Sequence, residues 1–148
     1  MAKWGKLLRL TRSKRCLLFK ACLLLTSIRL GLGLLPFQVL MRVVGAACKS
    51  NIQSILPSSS PIESVVWAVE GISRHMPGHT KCLARALTTK VLLHQQGYAS
   101  NLQIGVAKSD NGSLEAHAWI EYEGRIVIGN LRDLSRFIPL PSVEGVKL

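Results

Sequence analysis

The apolar pattern of this chain changes period at Gly97, and that change limits the folds open to it. Before Gly97, apolar residues recur every three or four positions, the spacing of helices. After it, Leu102, Ile104 and Val106 alternate with Gln103, Gly105 and Ala107, the spacing of a half-buried strand. Asp110-Asn111-Gly112 reads as a turn, Leu114 to Tyr122 as a second strand and Arg125 to Gly129 as a third. Helices followed by strands predict an α+β fold, N-terminal helices and one further helix packed on a small antiparallel sheet. At 148 residues, 48% of them hydrophobic, the chain has enough material for one real core but hardly for two. No internal repeat is visible.

The formal charge of +11 is unevenly placed. Residues 1–62 carry ten Lys/Arg and no acid, Glu63 being the first carboxylate, whereas the remainder carries nine Lys/Arg against eight acids. This contrast divides the chain into a basic N-terminal helical segment, 1–56, and a near-neutral domain, 57–148. In residues 3 to 15 the cations fall on one helical face and the leucines on the other. A second apolar helix follows from about Cys16 to Leu30, closed by Gly31 and Gly33, and Pro36 opens a third through Cys48. Two readings suit the segment: a helix that docks weakly on an anionic membrane or an acidic partner, or a helical layer packed on the domain with its basic face wet. Nucleic acid is not an expected partner, because no stacking aromatics or recognisable binding motif accompany the charge.

Further along, Ser60, Pro61 and Glu63 have the spacing of a capping box with proline at the first helical position. That helix runs to about His75 and is ended by Pro77-Gly78. The next begins near Cys82 and ends at Gly97, with Leu83, Leu87, Val91 and His94 as its inward stripe. Four cysteines (Cys16, Cys22, Cys48, Cys82) invite a disulfide reading, but no clean secretory signal precedes them. Lys20 and Arg29 interrupt the apolar run from Cys16 to Phe37, which therefore reads as too broken to span a bilayer. The expectation is a cytoplasmic protein, free or peripheral at the inner membrane face, with reduced thiols. Cys16, Cys22 and Cys48 read as core filler.

Cys82 differs from the other three, because a helix starts there after a Pro-Gly break. His117 lies in the strand phrase Glu-Ala-His-Ala-Trp-Ile-Glu-Tyr. A helix N-terminus and a neighbouring imidazolium lower a thiol's pKa, and the thiolate attacks an amide carbonyl. The histidine then gives a proton to the departing amine and activates water for deacylation. The Cys82 backbone N–H, at a helix head whose amides lack internal partners, suits an oxyanion hole. If Glu123-Gly124 is a two-residue hairpin turn, Tyr122 faces Arg125, Ile120 faces Val127 and His117 faces Asn130. Asn130 is thus a candidate for the group that holds the imidazole, with Asp133 behind it. A register shift would bring Gly129 or Leu131 opposite instead. His75, His79 and Cys82 have metal-like spacing, but the Pro-Gly break and the lack of a fourth ligand argue against zinc. No cofactor or metal is expected.

Cys-Leu-Ala-Arg-Ala-Leu, Gly97, Leu-Gln-Ile-Gly-Val and Ala-His-Ala-Trp-Ile-Glu with Gly124 together resemble the leader peptidase of lasso-peptide biosynthesis over roughly residues 60 to 140. That family, also known as the C-terminal domain of the microcin-processing protein, has a transglutaminase-like, papain-related fold. The resemblance implies a cysteine protease that removes the leader from a ribosomally made precursor peptide. It implies Cys82 as nucleophile and His117 as base, with the third member open between Asn130 and Asp133, since Ile128-Gly129-Asn130 departs from the usual aspartate. It also implies two partners, a separate leader-recognition protein and an ATP-dependent macrolactam cyclase. Arg85 and Trp119 flank the pair in the motifs, as substrate contacts or as supports; Trp119 is expected to pack the imidazole from the same strand face.

Overall fold

A computed structural model describes residues 9–49, 61–76 and 82–141. Four α-helices precede a four-stranded antiparallel sheet: α1 (Arg12–Leu34), α2 (Phe37–Lys49), α3 (Ile62–His75) and α4 (Cys82–Gln95), then β1 (Asn101–Lys108), β2 (Leu114–Tyr122), β3 (Arg125–Ile128) and β4 (Ile138–Pro139). The strand order is β3-β2-β1-β4. The chain is α+β, as the change of period predicts.

One buried cluster joins helices and sheet. Leu17, Ala21, Leu25 and Ile28 of α1 and Leu40 and Val44 of α2 meet Val65 and Val69 of α3, much of α4, and Leu102, Ala118, Ile120 and Ile128 of the strands. Residues on both sides of position 57 thus contribute to the same core. Leu25, Leu87, Leu92 and Ile120 are wholly enclosed, each burial stabilising by roughly 1.5–3 kcal/mol before entropy is counted. On the other face of the sheet a smaller cluster forms from Ala107, Trp119 and Phe137.

α1 is a single long helix, and Gly31 and Gly33 do not close it. It ends instead at Leu34, because Leu35 precedes Pro36 and is forced extended (φ −110°, ψ 146°). Gly31 serves packing: a Cβ there would lie 2.9 Å from Leu40 Cδ1. Cys16 and Cys22 are exposed rather than core filler, since the buried stripe runs through positions 17, 21, 25 and 28 and turns them outward. α1 is also long and apolar enough to cross a membrane, with a mean hydropathy of 1.7 over its best window. It is so by length and composition alone, with Lys20 and Arg29 inside it, and its buried stripe belongs to the core shared with the other helices and the sheet.

α3 starts one residue later than expected, with Pro61 at the N-cap, extended and without a side-chain cap bond. Ser60, Pro77, Gly78 and His79 lie outside the described residues. α4 starts at Cys82, and its end follows the glycine rule closely. Gly97 has φ +87°, its N–H reaches His94 O, and Tyr98 N–H reaches back to Leu93 O, a Schellman closure. The inward surface is wider than the expected stripe of Leu83, Leu87, Val91 and His94. α4 is buried on most sides between helices and sheet, with Thr88 and Thr89 satisfied by the carbonyls of Ala84 and Arg85, while His94 is exposed.

β1 and β2 pair along their length, with Gly105 opposite His117 and Ile104 opposite Ala118. β2 and β3 join through the expected two-residue turn at Glu123-Gly124, both with positive φ (48° and 75°). Tyr122 faces Arg125 as the arithmetic predicts. A bulge then intervenes: Glu121 faces Ile126, but Ile120 faces Ile128, leaving Val127 as the extra residue. β3 stops there, so His117 has no β3 residue opposite it, and the expected pairing with Asn130 does not form.

Candidate active site

α4 packs directly on β2. Its C-terminal end is fixed at the hairpin end of that strand: Tyr98 meets Tyr122 edge-on with ring centroids 5.5 Å apart, Lys90 Nζ donates to Ser100 O at 2.9 Å, and β1 starts at Asn101 opposite Glu121. Cys82 heads the helix, at the end away from this anchor. Cys82 is half-buried, its side chain against the margin of the helical core.

Alternation along β2 decides where the imidazole goes. Ala118 and Ile120 turn to the helices, whereas Trp119 belongs to the cluster on the opposite face and His117 lies with it. The His117 and Trp119 rings are nearly parallel, 19° apart with centroids at 6.2 Å, and Phe137 closes on the imidazole at 5.7 Å. Trp119 Nε1 in turn donates to Glu121 Oε1 at 2.9 Å. The His-x-Trp-x-Glu spacing is thus one continuous set of contacts along one face. Trp119 supports the histidine, as expected of a residue two positions away on a strand.

The hydrogen bond that fixes the ring is made by Gly129, the residue that a register shift would bring opposite. His117 Nε2 lies 2.6 Å from Gly129 O. A carbonyl only accepts, so Nε2 carries the proton and, in the neutral ring, Nδ1 keeps its lone pair. Gly129 reaches this place by a left-handed turn (φ +87°) that presses it against β2; a Cβ there would lie 2.7 Å from Ala118 O. The signal available in sequence was the glycine itself, directly after an apolar strand.

Asn130 and Asp133 do not make that bond. Asn130 is exposed. Asp133 pairs with Arg136 Nε at 2.6 Å, and this hydrogen bond is the main cause holding its carboxyl below the usual carboxylate range; the His117 charge adds a minor pull in the same direction. Arg136 also reaches Glu115 and lies over the Phe137 ring, 4.9 Å from its centroid, bracing the loop that carries Phe137 onto His117. Arg85, one turn after Cys82, points its guanidinium at Glu70 of α3 (3.5 Å). A cleft of about 420 Å³ lies between α3 and β3, lined by Ile62, Glu63, Trp67, Glu70, Tyr122 and Val127. Among the described residues no His, Cys, Asp and Glu cluster could hold a metal ion; His79 of the candidate metal set lies outside them.

A helix headed by cysteine, packed on a strand whose histidine is held by its neighbour, is matched by one family model. The transglutaminase-like superfamily model covers residues 22–142, well over half the chain. The chain belongs to the transglutaminase-like superfamily. The match begins inside α1, so this superfamily domain includes most of the N-terminal helical layer as well as the sheet. Members of the transglutaminase-like superfamily are typically cysteine peptidases or acyltransferases. No curated protein and no solved structure matches the chain.

Proposed function

We propose that this transglutaminase-like protein is a cysteine endopeptidase that removes the leader from a ribosomally made lasso-peptide precursor. The observation that carries the catalytic part is the His117–Gly129 bond. By placing the proton on Nε2 it leaves Nδ1 as the basic nitrogen, the tautomer needed to take a proton from a thiol. Cys82 heads α4, and α4 packs on β2, the strand that carries His117. The reading requires the Cys82 thiol, at the margin of the helical core, to reach the His117 imidazole, which lies with the aromatic cluster on the opposite face of β2.

The chemistry then runs as an acyl transfer. Cys82 Sγ gives its proton to His117 Nδ1 and forms a bond to the scissile carbonyl carbon. The C–N bond breaks, with the imidazolium proton passing to the departing amine. Water, deprotonated by the same nitrogen, releases the acid and restores the thiol. Gly129 O holds the ring throughout, the place for which Asn130 and Asp133 were candidates. The choice of a lasso precursor, and of a separate leader-recognition protein and a macrolactam cyclase as partners, is supported by the motif resemblance alone.

The test is cleavage of the cognate precursor, presented with its recognition protein, by the full chain and by Cys82→Ala. Loss of cleavage with an unchanged circular dichroism spectrum is expected; undiminished cleavage would remove the reading. Product mass separates hydrolysis, which adds one water, from transfer to an amine, the other activity of the superfamily.

A further inference from the structure

We propose that the outward face of α1 rests on an anionic lipid surface. Phe19, Leu23, Leu30 and Leu34 follow one another at four, seven and four residues, so they share the side of the helix opposite the buried stripe of Leu17, Ala21, Leu25 and Ile28. They are 65%, 53%, 60% and 80% exposed. A monomeric soluble protein rarely leaves such a row uncovered. The exposed apolar residues continue past the helix end at Leu35 and Phe37 and on α2 at Val39 and Val43.

The charges around this row indicate what covers it. Arg12 and Arg15 stand exposed at the head of the same face, Lys20 and Arg29 flank it on either side, and Arg42 is exposed on α2. No carboxylate occurs in residues 1–62. An apolar stripe bordered by cations alone fits a surface that is negative outside and apolar within. A second copy would have to set this cationic border against itself. The helix lies along the surface rather than through it, because its other stripe is locked into the core with α3 and α4. Long Lys and Arg stems at its borders reach headgroups while their methylenes stay apolar.

The proposal is independent of the peptidase reading. Its test is flotation of the full chain with vesicles of phosphatidylcholine alone and of phosphatidylcholine with about one third phosphatidylglycerol. Flotation is expected with the anionic vesicles and should be lost at high salt. Two variants, Phe19→Ser/Leu23→Ser/Leu30→Ser and Arg12→Glu/Arg15→Glu, should each lower the bound fraction about tenfold or more with unaltered helix content. The proposal is overturned if the chain stays at the bottom of the gradient with anionic vesicles, floats equally well with neutral ones, or floats undiminished in both variants. It is equally overturned if sedimentation shows a lipid-free dimer that the serine variant splits.

Discussion

Gly129 and Trp119 approach so closely that a Cβ on the glycine would lie 2.9 Å from both Cα and Cβ of the tryptophan. Only a residue without a side chain lets the strand's exit lie flat enough on β2 to offer its carbonyl to His117. Gly129→Ala adds a left-handed backbone penalty of about 1–2 kcal/mol to that clash. The expected result is a fall in unfolding free energy of about 2–4 kcal/mol and a loss of at least tenfold in kcat/KM. Asn130→Ala, by contrast, should leave both within about twofold of the parent if the carbonyl alone holds the ring.

Trp119→Phe keeps an aromatic plane beside His117 but removes the N–H that reaches Glu121. A destabilisation of about 1–2 kcal/mol is expected by chemical denaturation, the cost of one hydrogen bond and some packing. Glu121→Gln retains an acceptor and should cost less. Equal losses in the two variants would mean that the hydrogen bond contributes nothing separable from charge.

Gly105 lies opposite His117 and beneath the aromatic cluster, where a Cβ would meet the Trp119 ring at 2.9 Å and Phe137 Cβ at 3.0 Å. Gly105→Ala should therefore push both rings off their seats at a cost of about 1–3 kcal/mol. Because Phe137 and Trp119 both touch the imidazole, the variant should also lower turnover more than it raises KM. A parent-like melting temperature would show that the cluster yields freely.

The Asp133 carboxyl is held below the usual carboxylate range, chiefly by the Arg136 hydrogen bond. A depressed folded-state value means that the pair's contribution is present above the ordinary range and fades as pH falls through the depressed one. A carboxyl-carbon NMR titration should place the Asp133 midpoint below that of an unstructured peptide, and Arg136→Gln should move it back up. Both side chains are largely exposed, 40% and 56%, so the melting temperature at neutral pH should change little.

The parts of the fold visible in sequence are those where one residue type is demanded. The head of α4 at Cys82, its end at Gly97, the span of β2 and the Glu123-Gly124 turn all follow from a breaker, a positive φ or a strict alternation. The bulge at Val127 left no mark, because valine suits a regular strand as well as an irregular one. The exposure of Cys16 and Cys22 was equally hidden: α1 is apolar nearly all round, so periodicity cannot say which stripe goes inward. For the candidate site, the sequence pointed to the histidine and its aromatic neighbour but not to the acceptor. A backbone carbonyl carries no side-chain signature, whereas an amide or carboxylate does, and that difference favours Asn130 over the glycine just before it. Phe137 and β4 have no sequence signal, because nothing in Arg-Phe-Ile-Pro-Leu alternates for long enough to read as a strand.

β4, only two residues long, has a role out of proportion to its length. Leu140 N–H points inward to Ile104 O at 2.7 Å, so the nitrogen of the preceding residue, Pro139, faces outward. That nitrogen carries no hydrogen. A stray extended chain arriving at this border finds a missing donor where continuation would need one, which guards the sheet against stacking with its neighbours at high concentration.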